Sequence, residues 1–132
     1  MTLYVCLDDR GGLLFNGRRL SRDARLLADM AAMVPDVLTI DPFSEKLVAA
    51  AGIPYALASA ELPEDAHFFL ENRDPETLLP GAERLVIYRW NRHYPSDVRW
   101  EKDPADYGFI LTETTDFPGS SHEKITKEVY VK

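Results

Sequence analysis

The residues best equipped for chemistry in this sequence gather in two short stretches. The first is Tyr88-Arg89-Trp90-Asn91-Arg92-His93-Tyr94-Pro95. Guanidinium groups and aromatic faces both stack on planar molecules, and the guanidinium fork also pairs with phosphate or carboxylate. Trp90, Arg92 and His93 are therefore candidates for holding a small planar or anionic ligand. The second stretch is Gly119-Ser120-Ser121-His122-Glu123-Lys124. A Gly/Ser loop offers donors to an anion, and the histidine beside it can exchange a proton near neutral pH. Ser121 and His122 join the candidates on that ground, and His122 could pair with His93 as acid and base. Both stretches sit at strand ends in the closing part of the chain. A chain that turns after Arg89 can gather Trp90, Arg92 and His93 on one rim, with Arg92 or His93 approaching the loop of residues 119–123. Sulfate or phosphate is expected there.

Other groups point to packing. His67 stands alone before Phe68 and Phe69 and is expected in a strand. Asp8 and Asp9 are adjacent, and adjacent strand residues face opposite ways, so they do not share a metal. The histidines lack His-x-His or His-Glu-x-x-His spacing, so no metal site is expected. Cys6 lies in the apolar run Leu3 to Leu7, where a thiol packs as a small hydrophobe.

The elements that must position these groups come from a chain of ordinary globular composition. It has 132 residues, 45% hydrophobic and 28% charged, enough to build one core, and a single domain over residues 1–132 is expected. The net charge of -7 argues against DNA, whose partners carry basic surfaces, and suits solubility or a basic protein partner. The one cysteine excludes an internal disulfide. No leader or membrane span is apparent, so a cytoplasmic protein is expected.

Residues 2–8 read as a buried strand, and Asp9-Arg10-Gly11-Gly12 as a turn into the short return Leu13 to Phe15. Ser21 as N-cap, with Leu27, Met30, Ala31 and Val34 at helical spacing, predicts a helix over 21–33. Strands are expected at 36–40, 53–57, 67–70, 85–89, 109–114 and 125–131, with short helices at 44–51 and 75–79. Residues 92–106 read as a long excursion. Strands alternate with helices first and then pair, which predicts an α/β fold. Its mixed central sheet is flanked by helices and closes with an antiparallel strand pair.

Three stretches resemble the dihydrofolate reductase family. Leu3 to Gly17 is similar to its first strand and the glycine-containing loop after it. Leu20-Ser21-Arg22-Asp23 is similar to the Leu-Pro-x-Asp/Glu signature that opens its first long helix. Leu79 to Tyr88, with the pair Phe109–Phe117 and Ser121–Tyr130, resembles its sixth strand and final hairpin. The resemblance implies a dihydrofolate-reductase-like fold. It also implies for Asp23 the family's acidic, catalytic role at the pteridine ring, with Asp23 facing a cleft.

The departures matter more. The family clamps NADPH with a Gly-Gly pair after a central strand, where this chain has Phe68-Phe69-Leu70-Glu71-Asn72-Arg73-Asp74. Asp41-Pro42-Phe43-Ser44 replaces the family's Gly-Arg-x-Thr helix start. A diverged protein without family-type NADPH binding is therefore the leading expectation, keeping a cleft near Asp23, Trp90 and Arg92. Three alternatives stay open. One is an NADP-dependent oxidoreductase of pteridines in which Arg73, Arg89 or Arg92 replaces the glycine clamp. Another is a small nuclease or hydrolase built on His93 and His122 with Arg89 or Arg92. The last is an acidic inhibitor or immunity-type partner protein.

Overall fold

Leu3, Val5 and Leu7 alternate with Tyr4 and Cys6 along β1 (Thr2–Leu7), and the alternation sends the two sets to opposite faces of one sheet. The computed structural model describes residues 1–132. It places β1 at the centre of a seven-stranded sheet whose remaining members are β4 (Leu38–Ile40), β5 (Tyr55–Leu57), β6 (His67–Phe69), β7 (Arg84–Arg89), β9 (Ile110–Phe117) and β10 (Ile125–Val131). The order is β5-β4-β6-β1-β7-β10-β9. The first five pair in parallel, and β10 runs antiparallel to both β7 and β9. The sheet is mixed, with the antiparallel closing pair at one side.

Both faces of the centre are covered, as parallel strands require. On one face Leu3, Val5, Leu7, Leu85 and Ile87 pack with Leu79, Trp100 and Phe109. On the other Tyr4, Val86, Tyr88 and Trp90 pack under α1 (Ala24–Met33) and α2 (Glu45–Ala50), through Leu26, Leu27, Met30 and Val48. The short helix α3 (Pro75–Leu78) begins at Asp74, whose side chain accepts from Glu76 N–H, with Pro75 in the first turn where its missing donor costs nothing.

The excursion after β7 is more structured than the sequence suggests. Residues Val98–Arg99 form β8, which joins β2 (Gly12–Phe15) and β3 (Arg18–Arg19) in a second, three-stranded sheet. Asp8, fully buried, organises this corner. Its carboxylate accepts from the N–H groups of Arg10 and Gly12 at 2.9 and 2.6 Å and from Tyr94 at 3.0 Å. Burial alone would raise its carboxyl, but those donors and the His93 ring hold it below the ordinary range. Gly12 has no side chain because a Cβ there would sit 2.7 Å from Asp8 Oδ1. No helix of the chain is long and apolar enough to cross a membrane.

Candidate functional site

The cap of the first long helix falls two residues later than its sequence pattern suggests. Asp23, not Ser21, is the N-cap, with extended backbone at φ -152°. A carboxylate outcompetes a hydroxyl here because it accepts several N–H groups together and meets the positive end of the helix dipole. Asp23 Oδ1 accepts from Arg25 N–H (3.0 Å), Leu26 N–H (3.1 Å) and Ser120 N–H (3.0 Å). Oδ2 accepts from Ser121 N–H (2.9 Å) and His122 Nδ1 (3.0 Å), with Ser121 Oγ 3.2 Å away. The residue is 2% exposed. Burial would raise its carboxyl, but the Ser120 and Ser121 amides, the His122 ring and the Leu26 amide outweigh it and hold the group far below the ordinary carboxylate range.

The chain of contacts continues outward from His122. Its ring lies on Trp90, with centroids 4.7 Å apart and planes tilted by 27°. A carboxylate at Nδ1 can only accept, so Nδ1 carries a proton and Nε2 faces the other way. Two hydroxyls meet Nε2: Tyr94 Oη at 2.9 Å and Ser21 Oγ at 3.1 Å. Asp23, His122 and Ser21 thus stand in one hydrogen-bonded line, joining the start of α1 to the loop between β9 and β10.

The two stretches singled out in the sequence do meet, through Trp90, Tyr94 and His122. Trp90 is 4% exposed and His122 5%, so the stacking face of Trp90 is occupied by the protein's own imidazole. Ser121 lies exposed beside Asp23 and donates to Arg22 C=O at 2.9 Å. Arg92 is exposed and shares a hollow of about 350 Å³ with Asp9, Glu123 and Lys124, where two carboxylates balance two cations. His93 stands 3.8 Å from Asp8. His67 lies in β6, as expected, with its Nδ1 2.7 Å from Tyr4 Oη. No group of three or more His, Cys, Asp or Glu residues is arranged to hold a metal ion.

Two larger concavities open around the start of α1. One, about 610 Å³, runs between α1 and α2 and is lined by Arg22, Leu27, Ala31, Leu47 and Ile53. The other, about 660 Å³, is bordered by Arg18, Arg19, Ser21, Arg22 and Phe43. They share Arg22. Ion pairs tie down Arg19, Arg73 and Arg89 but not Arg18 or Arg22. The sequence signal for this basic mouth was the run Gly17-Arg18-Arg19 followed by Arg22. Its meaning depended on which arginines would find carboxylates.

Beyond β6 the backbone is braced by ion pairs. Glu71, 9% exposed, takes Arg19 through two N–H donors at 2.9 Å and accepts from Ser44 Oγ at 2.6 Å. Arg73 makes a matching two-pronged pair with Asp41 at 2.7 and 2.8 Å. Segments 41–44 and 71–73 are thereby cross-linked by charge.

No protein-family model matches the chain, and no curated protein matches it. Among solved structures it is similar to the dihydrofolate reductase from Enterococcus faecalis complexed with NADP(H) and RAB-propyl. The TM-score is 0.68 at 10% identity, covering 98% of this chain and 94% of that one. The element order, the central β1 and the antiparallel closing pair are all accounted for by that likeness: the chain has a dihydrofolate-reductase-like fold, widely diverged in sequence.

Proposed function

We propose that this chain binds a small, partly apolar organic anion in the cleft between α1 and α2, and that it does so without a dinucleotide cofactor. The carrying observation is the pairing of an apolar cleft of about 610 Å³ with a mouth holding two arginines, Arg18 and Arg22, that have no carboxylate partner. Mostly apolar walls with a few convergent polar groups are what small-molecule sites share. In a chain of net charge -7, a local basic mouth still concentrates an anion, because potential is set by nearby groups. Trp90 and Arg92 enter this proposal differently from their place in the sequence. Trp90 stiffens the site from behind His122, and recognition falls to Arg18 and Arg22.

Two observations support binding without the fold's cofactor chemistry. A dinucleotide cradle needs bare backbone N–H groups beside glycine. Here Glu71 puts a carboxylate at that turn, held by Arg19 and Ser44. The residues present do not fit a pyrophosphate. Asp23 in turn accepts three donors on Oδ1 and two on Oδ2 from its own chain, leaving no lone pair free for a ligand's amino group.

The test is a thermal-shift and calorimetric titration with 1-naphthyl phosphate and, separately, NADPH. Naphthyl phosphate should raise the melting temperature by mass action. Replacing Arg22→Ala should weaken it about ten-fold or more, the usual loss for a charged hydrogen bond. NADPH should show no saturation at about 100 μM, the upper part of the usual enzyme range. Saturable low-micromolar NADPH binding would overturn the proposal.

A further inference from the structure

We infer that Ser21, His122 and Asp23 form a nucleophilic relay, and that the groove beside them hydrolyses esters of small organic acids carrying a second carboxylate. The preference for an anionic ester rests on the proposed anion site; the relay itself rests on separate geometry. Asp23 Oδ2 and His122 Nδ1 are 3.0 Å apart, and His122 Nε2 and Ser21 Oγ are 3.1 Å apart. A serine hydroxyl becomes a nucleophile when a base stands within hydrogen-bond reach and a third group orients that base. Both conditions are met by residues from two distant parts of the chain. Asp23 is fixed by four backbone N–H donors besides the histidine, so it holds the ring without swinging toward the solvent. Trp90 stacks on the ring and favours the imidazolium that forms when the proton arrives.

Ser21 borders the groove that Arg18 and Arg22 line, so an ester whose carboxylate pairs with those arginines would bring its carbonyl to the hydroxyl. The backbone N–H groups of Ser21 and Arg22 are taken by no acceptor of the chain and so remain available as donors to a developing oxyanion. The step balances with water as the only co-reactant. Ser21 Oγ bonds to the carbonyl carbon, and its proton passes to His122 Nε2. The carbon–oxygen bond to the alcohol then breaks, and Nε2 returns the proton to that leaving oxygen. Water, deprotonated in turn by Nε2, attacks the acyl carbon, frees the acid and restores Ser21.

Tyr94 is the counterweight. Its hydroxyl lies 2.9 Å from the same Nε2, closer than Ser21, and an imidazole nitrogen with one lone pair cannot accept both fully. Tyr94 therefore holds the base at rest, and removing its hydroxyl leaves Nε2 to Ser21 alone.

The experiment uses the full chain with mono-4-nitrophenyl succinate, the neutral 4-nitrophenyl acetate, and a fluorophosphonate that labels activated serines. We expect saturable release of 4-nitrophenolate and a fluorophosphonate adduct mapped to the peptide holding Ser21. Ser21→Ala should lower turnover about 100-fold or more, the scale of lost proton-transfer catalysis. Tyr94→Phe should raise it several-fold, an effect opposite to that of a merely structural hydroxyl. Turnover of the acetate that Ser21→Ala abolishes would keep the relay even where naphthyl phosphate does not bind, so the two proposals fail separately. Absence of both turnover and label in the unaltered protein, or turnover that Ser21→Ala leaves intact, would overturn the relay. The label is read on the unaltered chain, so it decides the matter even where Ser21→Ala fails to fold.

Discussion

Asp23 shows how one side chain can serve as cap, anchor and orienting charge together. It stops the first turn of α1 from fraying, ties that turn to residues 120–122, and fixes the His122 ring. Removing its charge leaves buried donors unpaired, so Asp23→Asn should cost about 3 kcal/mol in urea unfolding, as broken buried pairs do. The pH dependence follows from the direction of the shift. A carboxyl lowered on folding adds stability that is complete above its unfolded value near 4. That stability is lost as the pH falls from about 4 toward the folded value. Unfolding free energy should decline through that window, and less steeply in Asp23→Asn, where Asp8 alone of the two continues to contribute. Gly119 is bound to the same device. A Cβ at that position would collide with Asp23 Oδ2 and come within 2.9 Å of His122 C=O. Gly119→Ala should therefore destabilise the protein by about 1–3 kcal/mol, the usual range for overpacking, and should lower the melting temperature.

Among the elements, α1 bears most on the site, because its apolar stripe sets where Asp23 stands. Leu26, Leu27 and Met30 are the buried residues of the helix, and Met30 is fully buried. Met30→Ala should cost about 3 kcal/mol, which chemical denaturation would register as a shifted midpoint with an unchanged slope. This helix was legible in the sequence from its 3.6-residue stripe, and β1, β7 and β10 from their apolar runs. Those signals are local. What could not be read was set by distant partners. The start of α1 depended on Asp23 finding Ser120, Ser121 and His122, up to 99 residues away. Residues 98–99 form a strand only because β2 offers an edge to them, and two residues carry no period of their own. Ser21 looked like a cap because its type suits one; its hydroxyl instead meets an imidazole 101 residues further on. Trp90 and His122 were both picked out from their chemistry, but that each would cover the other required the fold.

For the molecule as a whole, charge and one sheet edge set the colloidal behaviour. β9 ends the seven-stranded sheet with an unpaired edge, and Ile110 and Leu111 on it are 69% and 47% exposed. Glu113 and Asp116 stand on the same strand and keep it apart from other edges by repulsion. That protection weakens as the pH approaches the isoelectric point of about 4.9 and the net charge falls from -7 toward zero. Light scattering should show reversible association near pH 5 that is absent at pH 7. Ile110→Lys should suppress it by placing a charge on the edge. Equal association in the variant would show that the edge is not the contact.

The position of β10 inside the sheet, between β7 and β9, has a consequence for the order in which the protein can be made. A ribosome delivers the chain from its beginning, and domains tend to fold as their residues emerge. Here the helix that emerges early stays untethered at its start until residues 120–122 exist to grip Asp23. β7 likewise waits for Ile125–Val131 to cover its open side. Pairings between such distant residues make for slow folding. A nascent chain halted before residue 120 would carry α1 loosely attached and Trp90 bare. It would be a substrate for chaperones until the closing hairpin arrives and locks both ends of the site in a single late step.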